Sequence, residues 1–318
     1  MSLGVVLPYW LDRPDGEAVE IAVEADRLGF GTLWVGEMAT FDAFALATAV
    51  GLRTEGIGLR IGPLAAGVRG PVAVALGVSS VAALTGRRVD VALGASSPAI
   101  VTGWHDRPWR GAAPRMRESV RALRGLLAGE RISADGDHVR AHGFRLRHPL
   151  PEATVSVAAF GPVMTRVAAE EADEVVLNLV APHQVERVRA VVDAHAAAFG
   201  RPAPKLAVWV TAALDPGPAA VRQVSEQLAL YLRAPGYAGM FAELGHPALV
   251  ARAEAGAPRR ELAEAVPREL LEAVCAIGSA ARVRDRIADY HRAGADHVGV
   301  VPSTADDPAG RRVLAAVG

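Results

Sequence analysis

Leu3-Gly4-Val5-Val6-Leu7-Pro8-Tyr9-Trp10-Leu11-Asp12-Arg13 is a short apolar run that breaks at a proline and passes into two aromatic residues. The run reads as a β-strand buried on both faces. An open doubly wound sheet would place a glycine-rich phosphate turn, GxGxxG, directly after its first strand. That place is held here by Pro8-Tyr9-Trp10-Leu11-Asp12-Arg13, which contains no glycine. Seven more apolar, β-branched runs follow, at 32–36, 57–63, 89–94, 154–160, 174–179, 205–211 and 297–302. Longer helix-period segments separate them, and such alternation calls for parallel pairing with right-handed crossovers. Eight strands without a dinucleotide turn predict an α/β fold of the closed (β/α)8 barrel type, with residues 1–318 as a single domain.

The helical segments carry their own punctuation. Ala18, Ile21, Ala22, Ala25 and Leu28 recur at steps of three and four, and Gly29 stands where a helix end takes a positive φ. Pro71 and Pro162 suit first helical positions, and Asp15, Asp42 and Ser279 suit N-caps. Two segments break the rhythm. Residues 132–148 hold the turn Ala134-Asp135-Gly136-Asp137, which predicts a β-hairpin inserted before the fifth strand. Residues 234–267, rich in Gly, Pro and Ala, predict a helical or loop insertion after the seventh strand, over the barrel mouth.

Composition narrows the function. A hydrophobic share of 51% with only 5% aromatics describes an aliphatic core, and a net charge of −1 argues against nucleic acid or an anionic membrane as partner. Lys205 is the only lysine, so a basic contact to a phosphate would come from arginine, and the Arg, Ala, Gly and Val usage points to a high-GC source. The single cysteine, Cys275, excludes a disulfide framework and reads as a small buried apolar residue. The amino terminus carries neither a basic leader nor a long apolar stretch, which predicts a cytoplasmic protein with no membrane span.

In a barrel of this kind the chemistry sits at the carboxyl ends of the strands. That rule selects Tyr9, Trp10, Glu37, Met38, Phe41, Pro63, Leu64, Ala65, Gly94, Ala95, Ser96, Ser97, Gly161, Asn178, Thr211, Pro302 and Ser303. The set is apolar and aromatic with few ionisable groups, which suits a large flat cofactor better than carboxylate-driven hydrolysis. Gly161-Pro162-Val163-Met164 opens a helix whose unpaired N–H groups and positive dipole end suit a phosphate; Gly278-Ser279 is a weaker opening of the same type. Trp104 and His105 lie in a Gly/Pro-punctuated loop after the fourth strand, where tryptophan points to a stacking surface or a subunit contact. His138 and His142 fall in the hairpin without a carboxylate at ligand spacing and read as a solvated strand. There is no P-loop, GxSxG elbow or zinc signature.

The order of several segments is distinctive: Leu28-Gly29-Phe30-Gly31-Thr32-Leu33-Trp34-Val35-Gly36-Glu37, Ile61-Gly62-Pro63, Leu93-Gly94-Ala95-Ser96-Ser97-Pro98, Gly103-Trp104-His105, Arg115-Met116-Arg117-Glu118 and Ala159-Phe160-Gly161-Pro162-Val163-Met164. Together they resemble the luciferase-like monooxygenase superfamily, and within it the actinobacterial branch that uses coenzyme F420. The resemblance implies an oxidoreductase and, in most members, a homodimer. It implies a non-proline cis peptide after the third strand, here between Leu64 and Ala65. It also implies a phosphate on Gly161, Pro162, Val163 and Met164, and a ring and ribityl chain bordered by Gly94, Ala95, Ser96 and Ser97. Many relatives carry His where Met38 stands, and some carry a carboxylate where Ser96-Ser97-Pro98 stands, so the usual acid and base are missing.

The expected activity is hydride transfer between F420 and a small organic substrate. Trp10, Met38, Phe41 and Trp104 would wall the substrate, and His105 would donate a hydrogen bond. The alternative is an FMN-dependent monooxygenase that takes reduced flavin from a reductase partner and uses O2. A second alternative is a barrel that binds the cofactor without turnover.

Overall fold

The computed structural model describes residues 2–37, 39–234 and 236–318. The strands are β1 (Ser2–Val6), β2 (Thr32–Val35), β3 (Gly58–Ala65), β4 (Val89–Gly94), β5 (Ser133–Asp135), β6 (Arg140–His142), β7 (Val155–Ala158), β8 (Glu174–Asn178), β9 (Lys205–Leu214), β10 (Ala276–Gly278) and β11 (His297–Pro302). Each of the eight predicted runs is a strand, and the 89–94 and 297–302 bounds coincide with those of β4 and β11. β4, β8 and β11 are buried along their whole length, as a parallel sheet covered on both sides requires. The architecture is the closed, eight-stranded parallel (β/α)8 barrel, with β5–β6 as the antiparallel hairpin and β10 as a short addition to β9.

Two compact units make up the chain: residues 1–30, 177–190 and 206–318, and residues 31–176 and 191–205. In the second unit, β2 pairs with β3, β3 with β4, β4 with β7 and β7 with β8. One face of this sheet carries a buried ion cluster. Arg60 of β3 donates to Glu174 of β8, Ser156 of β7 donates to the same oxygen at 3.3 Å, and Arg60 approaches Asp90 of β4 at 3.8 Å. The Arg60 guanidinium lies over the Trp34 ring at 5.0 Å. Burial pushes the Glu174 carboxyl above its usual range even though Arg60 pulls the other way. The hairpin spends its histidines locally: His142 meets Asp135 at 3.1 Å, and the His138 ring covers Gly111, where an added Cβ would meet it at 2.3 Å.

In the first unit, β1 and β9 flank β11, and β10 pairs with β9. The segment expected as a helical or loop insertion folds into the short helices Tyr237–Glu243, Pro247–Glu254 and Arg259–Glu264, and a further helix, Arg268–Val274, follows it. Leu228, Phe241, Leu249, Leu262, Leu270 and Val274 close them into one buried cluster. Cys275 belongs to it, and burial pushes its thiol up to about 12.

The caps follow the sequence with one correction. Asp42 accepts from the Phe44 and Ala45 N–H groups at 3.0 and 3.1 Å, and Ser279 from Arg282 N at 3.3 Å. Pro71 and Pro162 open their helices, and Gly29 has φ +80°. Asp15 does not cap: the helix Glu17–Arg27 starts after Gly16 with no side-chain cap. Glu17 is instead drawn into the fold, accepting from Arg13 and, at 2.7 Å, from the Thr304 hydroxyl.

Candidate active site

The second unit holds the residues expected around a cofactor. β3 and β4 run in register through Ile61 and Val91, shift, and resume with Leu64 opposite Leu93 and Ala65 opposite Gly94. The irregularity expected after the third strand is therefore present, but the cis peptide is Gly62–Pro63 and not Leu64–Ala65. Proline is the residue for which the cis amide is readily accessible. Leu64 is fully buried, so only Ala65 and the turn behind it reach the strand ends. Ala66 N donates to Gly94 O at 3.0 Å, and a Cβ on Gly94 would come within 3.1 Å of Pro63. The ends of β3 and β4 thus touch through small residues.

Beyond Gly94 the chain turns at Ser96, whose φ of +68° lies in the left-handed region that costs a non-glycine residue energy. Ser97 then accepts from Ile100 N and Val101 N at 3.2 and 2.9 Å. The segment read as a loop is a single wide helical stretch, Ala99–Trp104, with His105 N donating to Ile100 O at 3.3 Å, a five-residue step. Wide turns of this kind recur at functional sites. Val101 is its buried anchor, packed where a Cβ on Gly67 would stand, whereas Trp104 is 56% exposed and His105 is exposed.

After β7, Gly161 precedes the helix Pro162–Glu171 in extended conformation, and a Cβ there would meet nothing within 4 Å. Pro162 and Val163 are exposed and Met164 is partly so. The N–H groups of Val163 and Met164 occupy the second and third helical positions, which have no acceptor within a helix. The space and the donors fit a phosphate.

Glu37, at the end of the second strand, is committed. Arg69 Nε donates to its Oε2 at 3.0 Å, and Arg69 Nη2 donates both to its Oε1 and to Asp42. The hydrogen bond to Glu37 leads the causes that raise the Arg69 guanidinium above its ordinary value. Burial works against ionisation of Asp42, but the Ala45 N–H and Arg69 outweigh it and hold the carboxyl below its usual range. Arg69 also lies over the Phe44 ring at 5.2 Å. The pairing was not foreseen; an arginine following the third strand was the available signal. Phe41, beside this cluster, is 38% exposed, and Met38 lies outside the described residues.

The first unit holds Trp10 and Asn178. Trp10 is buried, with Nε1 donating to Pro302 O at 2.9 Å, so its ring is fixed against the end of β11. The following loops are tied by Gln223, which donates to Asp12 at 3.2 Å and accepts from the Ser303 hydroxyl at 2.8 Å. Asn178 Nδ2 donates to the Tyr237 hydroxyl at 3.3 Å, and Thr211 donates to Gln227 at 2.8 Å. Among the described residues, no group of three or more His, Cys, Asp and Glu is arranged to hold a metal.

A coenzyme F420-dependent tetrahydromethanopterin reductase from Methanopyrus kandleri superposes with a TM-score of 0.82 at 19% identity, covering 99% of this chain and 96% of its own. The oxygenating constituent of 3,6-diketocamphane monooxygenase of Pseudomonas putida, solved with FMN, superposes with a TM-score of 0.72 at 17% identity, covering 100% and 96%. A Mycobacterium tuberculosis protein, named provisionally as a coenzyme F420-dependent oxidoreductase, is 25% identical over 337 aligned residues, 96% of each chain. The model of the luciferase-like monooxygenase family matches residues 3–297. With almost the whole length matched, the chain belongs to the luciferase-like monooxygenase family and is an oxidoreductase.

Proposed function

We propose that the protein is an F420-dependent oxidoreductase that passes a hydride between the deazaflavin and a small organic substrate. The observation that carries this reading is the capture of Glu37 by Arg69. The carboxylate at the end of the second strand is held as an ion pair, so it is poorly placed to act as a general base. The strand ends are otherwise small, apolar or aromatic, a surface for holding a flat ring and a substrate against each other. The full-length similarity to a relative named for F420 supports the same choice.

In this reading Gly161, Pro162, Val163 and Met164 hold the cofactor's phosphate on the helix N-terminus. Leu64 and Ala65, through their backbone, and Gly94, Ala95, Ser96 and Ser97 border the ring and the chain beyond it. A bound deazaflavin supplies the hydride-carrying carbon, C5. Trp10 and Phe41 wall the substrate, with Met38 assigned the same part from the sequence. Trp104 covers it, and His105 donates a hydrogen bond to substrate or cofactor. Residues 1–318 work as one domain, since the family model runs through both units. We also propose a homodimer in the cytoplasm of an actinobacterium, consistent with the absence, among the described residues, of a helix long and apolar enough to cross a membrane.

The competing reading is an FMN-dependent monooxygenase supplied with reduced flavin by a reductase, as on the FMN-bound neighbour. Titration of the purified protein with F420 and separately with FMN, followed by tryptophan quenching, tests the choice. Micromolar or tighter F420 binding with weak FMN binding is the expected result. The reverse preference, with O2 uptake on reduced FMN, would replace the proposal. Cofactor binding without turnover on carbonyls, imines and activated alkenes would mark a silent barrel.

A further inference from the structure

The helix Ala112–Leu127 follows β4 and carries four arginines. Three of them are spent on the seam with the helix Pro162–Glu171 and the turn beyond it. Arg117 donates to Glu170 at 3.0 Å, Arg121 to Glu171 at 3.0 Å and Arg124 to Asp173 at 3.1 Å. From the other side, Arg166 donates to Glu170 at 3.0 Å. The fourth, Arg115, makes no side-chain hydrogen bond or ion pair among the described residues. Neither do Arg107 and Arg110, in the loop that leads into the helix.

Arg107 and Arg110 are exposed and Arg115 is half-buried. The carboxylates nearby in the chain do not take them up. Glu118 accepts from the His138 and Val139 N–H groups, both at 2.8 Å, and the exposed Asp106 makes no ion pair among the described residues. Helix stability does not explain the cluster either. The first turn of Ala112–Leu127 has no acidic residue and no side-chain cap, and basic groups at the positive end of a helix dipole are unfavourable. The backbone that presents the arginines is braced. Arg107 N donates to the carbonyl of the buried Val101 at 3.0 Å, and the Thr102 hydroxyl donates to Arg107 O at 3.0 Å. The His138 ring packs against Gly111 at the other end of the loop. Uncompensated positive charge on a fixed loop attracts a polyanion.

β4 and β7 are adjacent and parallel, and each leads into one of these two helices. The arginine loop and the turn at Gly161 are therefore neighbours on one rim, within the same compact unit. Packed helices stand about 8–10 Å apart, a gap that about three residues of extended chain span. We propose that Arg107, Arg110 and Arg115 bind the carboxylate-bearing tail that continues beyond the phosphate of F420. The inference rests on the cofactor reading above and deepens it. F420 carries a lactyl group and a chain of glutamates on its phosphate, whereas FMN ends at the phosphate. These arginines therefore select one cofactor over the other. The guanidinium fork matches a carboxylate in shape as well as in charge.

The test uses the full chain and three probes titrated by tryptophan quenching: F420 with its glutamates, F420 trimmed back to the phospholactyl group, and FMN. At low salt, wild type is expected to bind the glutamylated form about tenfold more tightly than the trimmed one, the combined scale of three solvated charge contacts. The gain should fade in about 0.5 M salt, where such contacts are screened. A triple variant, Arg107→Gln with Arg110→Gln and Arg115→Gln, should lose the gain. Its affinities for trimmed F420 and for FMN should stay within about twofold of wild type, because neither probe carries the glutamates. Equal binding of the two F420 forms by wild type at low salt overturns the proposal without any variant having to fold, and leaves the cofactor reading intact. A gain that the triple variant keeps, or that salt does not weaken, overturns it as well. Failure of wild type to bind either F420 form overturns the cofactor reading and this inference with it.

Discussion

Trp104 and His105 show how little a residue's type says about its surroundings. A tryptophan in a punctuated loop reads as a stacking or contact surface, and the structure leaves it more than half exposed on the last turn of a wide helix anchored by Val101. An exposed indole beside a catalytic mouth has a reason to be there if it covers a ligand. Under the proposed function, Trp104→Ala and His105→Ala should each lower kcat/KM for hydride transfer by about tenfold or more, the scale of one lost contact in the transition state. Steady-state assays that show unchanged turnover in both variants would remove these residues from the mechanism. Glu37 and Asn178 show the opposite limit. Their positions at strand ends were legible from the strand pattern, but the capture of one by Arg69, 32 positions away, and the pairing of the other with Tyr237, 59 positions away, were not. Partnerships of that kind depend on which loops meet, and local spacing carries no record of them.

At the scale of elements, capping chemistry was legible because it is local. Asp42, Ser279, Pro71 and Pro162 open their helices as their side chains dictate. Asp15 failed because Glu17 found better partners in Arg13, Thr304 and the Ala309 N–H, and the helix start followed. The end of β3 was half legible: a break was expected there, and its site moved back by two residues. Gly62 explains why the break is tolerated. Its φ is +122°, and a Cβ would stand 2.2 Å from the carbonyl oxygen of Ala92 on the neighbouring strand. Gly62→Ala therefore has both a conformational and a steric cost, and we expect a loss of about 3 kcal/mol or more. Thermal melts should show Tm lowered by about 4 °C or more. A Tm within about 1 °C of wild type would show that β4 can move aside, contrary to the rigidity argued here.

For the whole molecule, the buried cluster of Arg60, Asp90, Ser156 and Glu174 sets a pH dependence. The Glu174 carboxyl is raised by burial, so the folded state keeps its proton to higher pH than the unfolded chain does. Its contribution to stability is fully present below the unfolded pKa, about 4.3, and is lost as pH rises through the folded value. Glu174→Gln lacks this titration. The Tm of wild type minus that of Glu174→Gln should accordingly fall as the pH rises above about 4.3. A difference that rises over that range would mean that Arg60 holds the carboxyl below its usual value. The fold itself was almost wholly written in the chain, because each strand needs only a continuous apolar run and each crossover only a helix of sufficient length. The missing glycine-rich turn after the first strand then separated barrel from open sheet. Hence the sequence alone determined the barrel, its two insertions and the list of strand ends where chemistry belongs. Only the tertiary structure decided which of those ends are occupied by each other and which stay open to a ligand. Glu37 is satisfied by Arg69, Trp10 by Pro302 and Asn178 by Tyr237, whereas a Cβ on Gly161 would meet nothing within 4 Å. The physical reason is that secondary structure follows from interactions within a few residues, whereas saturation of a polar group depends on partners that only the closed fold brings within hydrogen-bond distance.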